Sequence, residues 1–157
     1  MKIIHSCTSK SFSGLERYVL ALAHWQNQKG YPVALFCRQD SELAKQAHKL
    51  KIPLLLLGNK DRFTPFFWFK NRKLISKKEN LTLHMHAGGE FWFFLPWLFS
   101  KRFSKTILQY HLWINHKKKD PFHSLLFSQI HEIWASTETA KSHLQNLLPI
   151  SKNSFRI

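Results

Sequence analysis

The sequence predicts an α/β fold, a Rossmann-like parallel β-sheet with helices on both of its faces. Short apolar runs alternate with helical or turn segments along the chain, a pattern typical of parallel strands joined by crossover helices. Residues 1–37 predict one complete unit of strand, loop, helix and strand. The length of 157 residues suits one substantial core, so we expect residues 1–157 to form a single domain.

The opening unit is the best-defined part of this pattern. Its predicted segments are an apolar strand at Met1–Cys7, a small-residue loop at Thr8–Gly14, a helix at Leu15–Lys29, and a turn into a second strand at Gly30–Cys37. The helix carries a stripe of large apolar residues at helical spacing, namely Leu15, Tyr18, Val19, Leu22 and Trp25. We expect this stripe to face the sheet.

The rest of the chain supplies further strands and one more clear helix. Ser41–Leu50 has apolar or small residues at helical spacing, and Ser41 is a preferred N-cap residue. Short apolar runs predict strands at Ile52–Leu57, Asn80–Met85, Lys105–Tyr110 and His131–Ala135. Phe155–Ile157 looks like the start of another strand, so we expect the chain to stop partway through its architecture.

The loop before the first helix is a candidate anion site. Ser13 and Gly14 open the helix, so unpaired backbone N–H groups and the positive end of the helix dipole point into the loop. A single glycine there is also typical of an ordinary turn. The loop lacks the three spaced glycines of a dinucleotide site and the Gly-Lys-Ser/Thr ending of a P-loop. We therefore expect neither NAD nor ATP binding, and no cofactor.

The chain is strongly basic, with 24 Lys and Arg residues against 9 Asp and Glu residues, a formal charge of +15 and a pI near 10.1. This charge favours partners that carry phosphate, namely anionic lipid, nucleic acid or phosphorylated substrates. Cys7 and Cys37 fall at the ends of predicted buried strands, where free thiols pack as small apolar groups, which fits a reducing compartment. The sequence shows no signal peptide and no apolar run of about 20 residues. We expect a cytoplasmic protein, soluble or peripheral on a membrane.

Several loose motifs follow one another along nearly the whole chain. They are Ser13-Gly14-Leu15-Glu16, then Gln28-Lys29-Gly30-Tyr31-Pro32-Val33, Leu83-His84-Met85-His86-Ala87, Ile107-Leu108-Gln109-Tyr110-His111 and Ile133-Trp134-Ala135-Ser136-Thr137-Glu138-Thr139-Ala140. In this order they resemble the N-terminal half of GT-B glycosyltransferases of family 4. Ser13 stands where that family has the first of two glycines, and Leu112 stands where it often has an acidic residue.

The resemblance implies a GT-B N-terminal domain and transfer of a sugar from a nucleotide diphosphate donor to an acceptor, with retention at the anomeric carbon. This chain would be the acceptor-binding half, and the donor-binding C-terminal domain is expected to be absent from it. Catalytic His111 would lie near the donor sugar, and Gly14 near the donor phosphates. The resemblance also places Ser13, Glu16, Ser136 and Thr137 in the donor phosphate cleft, and His84, His86, Gly88 and Gly89 in acceptor binding.

The histidines near two predicted strand ends allow more than one interpretation. His84 and His86 are two residues apart, so on a strand both rings face the same side, and His111 ends a neighbouring strand. The chain has ten histidines but no cysteine or carboxylate cluster near these three, so we expect no metal. We expect hydrogen bonds from their rings to sugar hydroxyls or phosphate. Ordinary packed or exposed histidines are the alternative.

Two segments place aromatic residues directly before cations, a composition with which peripheral proteins bind anionic membranes. The first contains Phe66, Phe67, Trp68 and Phe69, followed by Lys70, Arg72, Lys73, Lys77 and Lys78. The second is Phe91–Phe99, followed by Lys101 and Arg102. Buried packing explains such aromatics equally well. Nucleic acid could use the same residues, but the sequence contains no nucleic-acid-binding motif, so a membrane is the favoured partner.

Together these patterns favour the acceptor-binding half of a glycosyltransferase that builds a cell-envelope glycan on a lipid-linked or lipopolysaccharide acceptor at the inner face of the cell membrane. Its partners would be a nucleotide-sugar donor, that acceptor and an anionic membrane. The alternative is a basic α/β module without enzymatic activity that binds membrane or nucleic acid. A reading frame that continues past Ile157 into another domain would favour the enzyme.

Overall fold

The computed structural model describes residues 1–58, 75, 80–111 and 113–157, and a seven-stranded sheet forms its centre. The strand order is β3-β2-β1-β4-β5-β6-β7, and all of these described pairings are parallel. The strands are β1 (Lys2–Ser6), β2 (Val33–Arg38), β3 (Leu54–Leu57), β4 (Leu81–Met85), β5 (Lys105–Tyr110), β6 (Glu132–Ala135) and β7 (Phe155–Arg156). The α-helices are α1 (Gly14–Gln28), α2 (Glu42–Lys49), α3 (Phe91–Phe99), α4 (Pro121–Phe127) and α5 (Glu138–Leu147), with single 3-10 turns at Gly88–Glu90 and Lys152–Ser154.

The predicted parallel sheet is confirmed, including its short last strand. Phe155 of β7 pairs with Ile133 of β6. Ser41 caps α2 as predicted, because its Oγ accepts a hydrogen bond of 3.1 Å from the backbone N–H of Ala44. Both cysteines are buried free thiols, as their strand positions indicate.

Helices cover both faces of the sheet, as the sequence predicts. On one face, α1 and α2 form a core cluster with β2, which includes Val19, Ala23, Leu43, Val33 and Leu35. On the other face, α3, α4 and α5 share a larger cluster with alternate strand residues; its members include Phe94, Phe127, Leu144, Ile4, Leu83 and Met85. The period-2 alternation of the strands therefore divides the core into two layers.

The predicted sheet-facing stripe of α1 is wrong in part. The buried residues of α1 are Glu16, Val19 and Ala23, whereas Tyr18 and Trp25 are 41% and 54% exposed. The buried stripe is rotated by one residue, about 100° around the helix axis, from the one that the largest apolar side chains indicate. The small side chain of Ala23 suits close packing on the sheet, and Tyr18 lies instead beside histidines at the strand ends.

The aromatic run at residues 91–99 folds as α3 and enters the core for the most part. Its buried residues are Phe91, Phe93, Phe94, Trp97 and Leu98. Trp92 and Phe99 are exposed, and the exposed Lys101 and half-buried Arg102 follow the helix before β5 begins. Of the two interpretations that the sequence leaves open for this segment, buried packing holds for most of it, because an element that is apolar all round packs inside. A membrane role for Lys101 and Arg102 stays a prediction.

The other predicted membrane residues, 66–73 and 77–78, lie outside the described residues. In the part of the chain that the structure describes, no helix is both long enough and apolar enough to cross a bilayer.

The order in which the chain adds strands to the sheet reverses between β1 and β4. These two strands are neighbours, and the chain builds the sheet outward from them on opposite sides. In open parallel sheets, ligands bind in the crevice outside the carboxyl ends of such a strand pair. The register pairs His5 of β1 with His84 of β4, so the fold places two histidines at this crevice.

Candidate active site

Three buried histidines lie on one face of the sheet at the carboxyl ends of β1 and β4. His5 stands opposite His84 in the strand register, and His86 follows His84 by two residues, so the three side chains share the face covered by α1. The three residues are 0%, 3% and 2% exposed. His5 is a site residue that sequence reasoning missed. Side chains alternate along a strand and Ile4 is a core residue, so His5 faces the opposite side of the sheet. Only the pairing of β1 with β4 shows that this side also carries His84.

A chain of hydrogen bonds runs from α1 through this cluster to the residue after β5. Gln26 Oε1 lies 2.7 Å from His5 Nε2. His5 Nδ1 lies 3.1 Å from His86 Nε2, and His86 Nδ1 lies 3.3 Å from His111 Nε2. His111 is half-buried and ends the chain on the side of the cleft. The structure thus brings His86 and His111 together and adds Gln26 and His5, which sequence reasoning did not include.

Aromatic rings hold the histidines in place. His84 stacks on His86 with their ring centroids 4.2 Å apart, and Trp134 of β6 meets His84 edge-on at 5.1 Å. Tyr18 of α1 meets His111 edge-on at 5.2 Å. These contacts leave each ring little freedom to turn, so the orientation of the nitrogens is a stable feature of the site.

Burial keeps the cluster uncharged. It is the largest of the causes that lower the pKa of His84 to about 3, and neighbouring His5 and His111 contribute in the same direction. Burial also lowers the pKa of His5, and it takes that of His86 well below the ordinary value. The pKa of His111 is lowered for the same reason. At neutral pH each ring therefore offers one donor and one acceptor, which suits hydroxyl groups better than phosphate.

The same nitrogens lie close enough to raise the question of a metal ion. One ligand atom from each of His5, His84 and His86 lies within 4.8 Å of the others, a trio that differs from the one the sequence indicates. The His84 and His86 rings are stacked, however, and stacked rings direct their in-plane lone pairs side by side rather than at one point. The arrangement fits a hydrogen-bonded cluster better, and the absence of a metal stays a prediction.

Glu90 joins the loop after β1 to the end of β4. Its Oε1 accepts a hydrogen bond of 2.8 Å from the backbone N–H of Thr8, and its Oε2 accepts one of 3.1 Å from the backbone N–H of His86. The side chain is fully buried, and burial raises its pKa to about 8. Sequence reasoning missed Glu90, because a lone carboxylate beside an aromatic run carries no local signal of what it binds.

The predicted anion site at the start of α1 is partly filled by the protein's own carboxylate. Ser13 caps the helix, and its backbone N–H and Oγ donate hydrogen bonds of 2.7 Å and 2.8 Å to Glu16 Oε2. Although burial raises the pKa of Glu16, hydrogen bonds from Ser9 and Ser13 lower it to about 2. A Cβ on Gly14 would meet no described atom within 4 Å. Open space for a ligand therefore lies beside Gly14, whereas Glu16 stabilises the helix start.

Ser136 and Thr137 precede α5 on the other side of His111. Thr137 Oγ1 caps the helix by accepting a hydrogen bond of 3.1 Å from the backbone N–H of Ala140. Ser136 lines a small cavity of about 30 Å³ together with His111, Trp113 and other residues. Ser136 and His111 therefore share one surface, as their strand ends predict. The Thr137 oxygen accepts the capping hydrogen bond, and its exposed O–H remains able to donate to a ligand.

Gly88 and Gly89 open the turn that leads into α3. A Cβ on Gly88 would lie 3.3 Å from Tyr110 Oη and 3.9 Å from Lys118 Nζ, whereas one on Gly89 would meet no described atom within 4 Å. The Tyr110 hydroxyl is buried and has no hydrogen-bond partner among the described residues. The backbone of Gly88 thus lies beside an unsatisfied hydroxyl and a cation at the edge of the cleft.

These features define a Rossmann-like domain with a polar crevice at the carboxyl edge of its sheet. The chain belongs to Glycosyltransferase Family 4, and the match to that family covers residues 12–157. The resemblance to the N-terminal domain of GT-B glycosyltransferases is confirmed.

Solved structures show the same fold. The chain is similar to a glycosyltransferase from Rickettsia africae ESF-5, with a TM-score of 0.72 and 19% sequence identity. It is also similar to Anabaena Alr3699/HepE in complex with UDP-glucose, with a TM-score of 0.67 and 11% identity. The comparisons cover 99% of this chain but 41% and 43% of those two proteins, so the chain spans less than half of their length. No curated protein sequence matches the chain.

Proposed function

We propose that this chain is the N-terminal, acceptor-binding half of a retaining glycosyltransferase that moves a sugar from a nucleotide-sugar donor to a cell-envelope glycan or lipid-linked acceptor. The observation that carries the proposal is the uncharged histidine chain at the switch point of the sheet, which ends at half-buried His111. Family membership supports the reaction class. A second, donor-binding domain would complete the cleft.

The donor side of the proposed cleft lies between the start of α1 and His111. Open space beside Gly14 allows a diphosphate to approach free N–H groups at the helix start. His111 is the proposed catalytic residue and contacts the donor sugar. Ser13 and Ser136 lie at the starts of α1 and α5, and they complete the proposed phosphate side. Anabaena Alr3699/HepE was solved with UDP-glucose, which supports a nucleotide-sugar donor for this chain.

The acceptor side uses the opposite wall of the crevice. Gly88 and Gly89 offer backbone groups there, and Lys118 Nζ brings a positive charge next to Gly88. A phosphate within a lipid-linked acceptor suits this cation. His84 and His86 are buried, so in this proposal they support the wall and the acceptor contacts the glycines.

A lipid-linked acceptor is supported by exposed apolar residues near the same edge. Trp92 at the start of α3 stacks on Phe122 at the start of α4, with ring centroids 6.0 Å apart, and both are about half exposed, at 49% and 51%. The basic run Lys117–Lys119 precedes α4 and is separated from it by the N-cap residue Asp120. Aromatic side chains beside lysines bind the interface of anionic membranes, so we place the protein at the cytoplasmic face of the cell membrane.

A transfer assay tests the enzyme proposal. The protein would be expressed from its complete reading frame and incubated with a panel of radiolabelled nucleotide sugars and membrane extract as the acceptor source. We expect incorporation of one sugar into the lipid or glycan fraction, loss of incorporation in His111→Gln, and wild-type activity in a matched change at exposed His48, His48→Gln. If none of the nucleotide sugars gave incorporation and none bound to the protein, the proposal would be contradicted.

Vesicle sedimentation tests the membrane part independently. We expect the protein to sediment with phosphatidylglycerol vesicles at low salt and to be released by high salt, because screening weakens surface electrostatics. Replacement of Trp92 and Phe122 by serine should reduce sedimentation. Sedimentation without any nucleotide-sugar binding would favour the alternative, a basic membrane-binding module without enzymatic activity.

A further inference from the structure

We infer that Gln26, His5 and His86 are positioning residues that hold His111 in one tautomer, with its Nδ1 lone pair presented to the cleft as a hydrogen-bond acceptor. The tautomer is a property of the protein alone. The inference rests on the proposed function only for the identity of the ligand group, a sugar hydroxyl. His5 and His86 are buried, so they act through His111.

The direction of the hydrogen bonds follows from Gln26. Its Oε1 is an acceptor, so His5 donates its Nε2–H to it over 2.7 Å. A neutral imidazole has one donor and one acceptor nitrogen, so His5 Nδ1 accepts from His86 Nε2–H over 3.1 Å. His86 Nδ1 in turn accepts from His111 Nε2–H over 3.3 Å. All of these N–H groups point toward α1, and His111 is left with an unprotonated Nδ1.

Protonation of an inner ring would reverse the tautomer at His111. An imidazolium carries two N–H donors, so a protonated His5 or His86 would pass the donor role toward His111, whose Nε2 would then accept and whose Nδ1 would carry the hydrogen. Among the described residues, no carboxylate accepts a hydrogen bond from these rings; Glu90 binds the backbone N–H of His86 instead. Burial without a counter-charge therefore favours the neutral, unidirectional arrangement.

The contacts of the His111 ring also determine which of its nitrogens is left for a ligand. Its ring lies 5.6 Å from the His86 ring and meets Tyr18 edge-on at 5.2 Å. With Nε2 committed to His86, Nδ1 is the nitrogen left for a ligand, and no described residue hydrogen-bonds to it. A hydroxyl can donate to that lone pair. An ionised diphosphate offers only acceptor oxygens, so the site selects a hydroxyl.

The tautomer can be measured directly by nitrogen-15 NMR. Histidine-labelled protein from the complete reading frame would be studied near neutral pH without ligand, and the His111 signals assigned by their loss in His111→Gln. We expect a protonated Nε2 and an unprotonated Nδ1. Gln26→Met keeps the length of the side chain but removes the acceptor, so it should give a mixture of both tautomers at His111. Gln28→Met, the same change at an exposed position of α1, should leave the tautomer unchanged.

Three results would overturn the inference: a protonated Nδ1 on wild-type His111, an imidazolium there, or an unchanged single tautomer in folded Gln26→Met. If Gln26→Met does not fold, the tautomer observed for His111 in the wild-type spectrum is by itself the test of the inference. In the transfer assay, Gln26→Met is expected to lower kcat/KM about tenfold through misorientation, with Gln28→Met unaffected. If the expected tautomer is found but the wild type uses no nucleotide sugar, the proposed function fails and the positioning role stands.

Discussion

His86 and His111 share a hydrogen bond of 3.3 Å between Nδ1 and Nε2, although 25 residues separate them along the chain. One ring is buried and the other is half-buried, so the bond connects the interior of the sheet to its cleft. A substitution of buried His86 should therefore alter the orientation of the half-buried His111 ring.

His86→Phe is expected to impair transfer more than it impairs folding. Phenylalanine keeps the stack on His84 but removes both ring hydrogen bonds, which leaves His5 Nδ1 without its donor and His111 free to turn. We expect kcat/KM to fall tenfold to about a hundredfold and the free energy of unfolding to fall by about 1–3 kcal/mol. Steady-state transfer and urea unfolding measure the two effects. Equal activity in His86→Phe and in the exposed control His48→Phe would contradict this prediction.

The histidine cluster should also make the fold sensitive to acid. Burial lowers the pKa of His84 to about 3, so below the ordinary value of 6.5 the unfolded chain takes up a proton that the folded chain refuses. The stability present above pH 6.5 is therefore lost as the pH falls toward 3, by up to about 1.4 kcal/mol per pH unit for one group. In urea unfolding across this pH range, the free energy of unfolding should fall less steeply with decreasing pH in His84→Phe than in the wild type.

His84→Phe should cost little near neutral pH. The His84 Nε2 atom is buried and makes no hydrogen bond among the described residues, so an apolar ring of similar shape removes an unsatisfied polar atom. His48→Phe, on the exposed side of α2, is the matched control and should keep the wild-type slope. An unchanged slope in His84→Phe would show that other groups carry the acid sensitivity.

Much of the fold is predictable from local patterns. Apolar runs locate the strands, and Ser41 and Ser13 mark helix starts, because strand burial and helix capping depend on residues close together in sequence. The carboxyl-edge rule likewise singles out His84 and His111, since both follow or end predicted parallel strands. These inferences need only the order of elements and the direction of the chain.

The rest of the site depends on contacts between distant residues. His5 becomes a site residue only because β1 pairs with β4, and Gln26 only because its position on α1 overlies that pair. The predicted helix stripe is wrong around Tyr18 because side-chain size is a poor guide to burial there, whereas close packing uses Ala23. Glu90 binds backbone N–H groups of two separate segments, which no local pattern reveals.

Glu90 should produce the opposite pH trend in a higher window, which overlaps that of His84 in part. Burial raises its pKa from 4.5 to about 8, so between these values the folded state holds a proton that the unfolded state has lost. The stabilising contribution is full below pH 4.5 and is lost as the pH rises through 8. Measurement between 6.5 and 8 avoids the overlap with His84.

Glu90→Gln should flatten that alkaline slope, because the amide does not titrate. Its NH₂ group would also face the backbone N–H of Thr8 or His86, so we expect a loss of about 1–3 kcal/mol in the free energy of unfolding at pH 6. Glu138→Gln, at an exposed position of α5, should change neither the alkaline slope nor the free energy of unfolding at pH 6 appreciably. A wild-type slope in Glu90→Gln would show that Glu90 is ionised in the folded state.

Gly88 and Gly89 provide a matched pair for the acceptor wall. Both lie in the same 3-10 turn, so replacement by alanine changes backbone entropy similarly at each. Only a Cβ at Gly88 meets Tyr110 Oη at 3.3 Å and Lys118 Nζ at 3.9 Å. We expect Gly88→Ala to shift these two groups, raise KM for the acceptor several-fold and cost about 1 kcal/mol relative to Gly89→Ala. Urea unfolding and acceptor saturation curves measure the difference, and identical behaviour of the two variants would exclude a role for the space at Gly88.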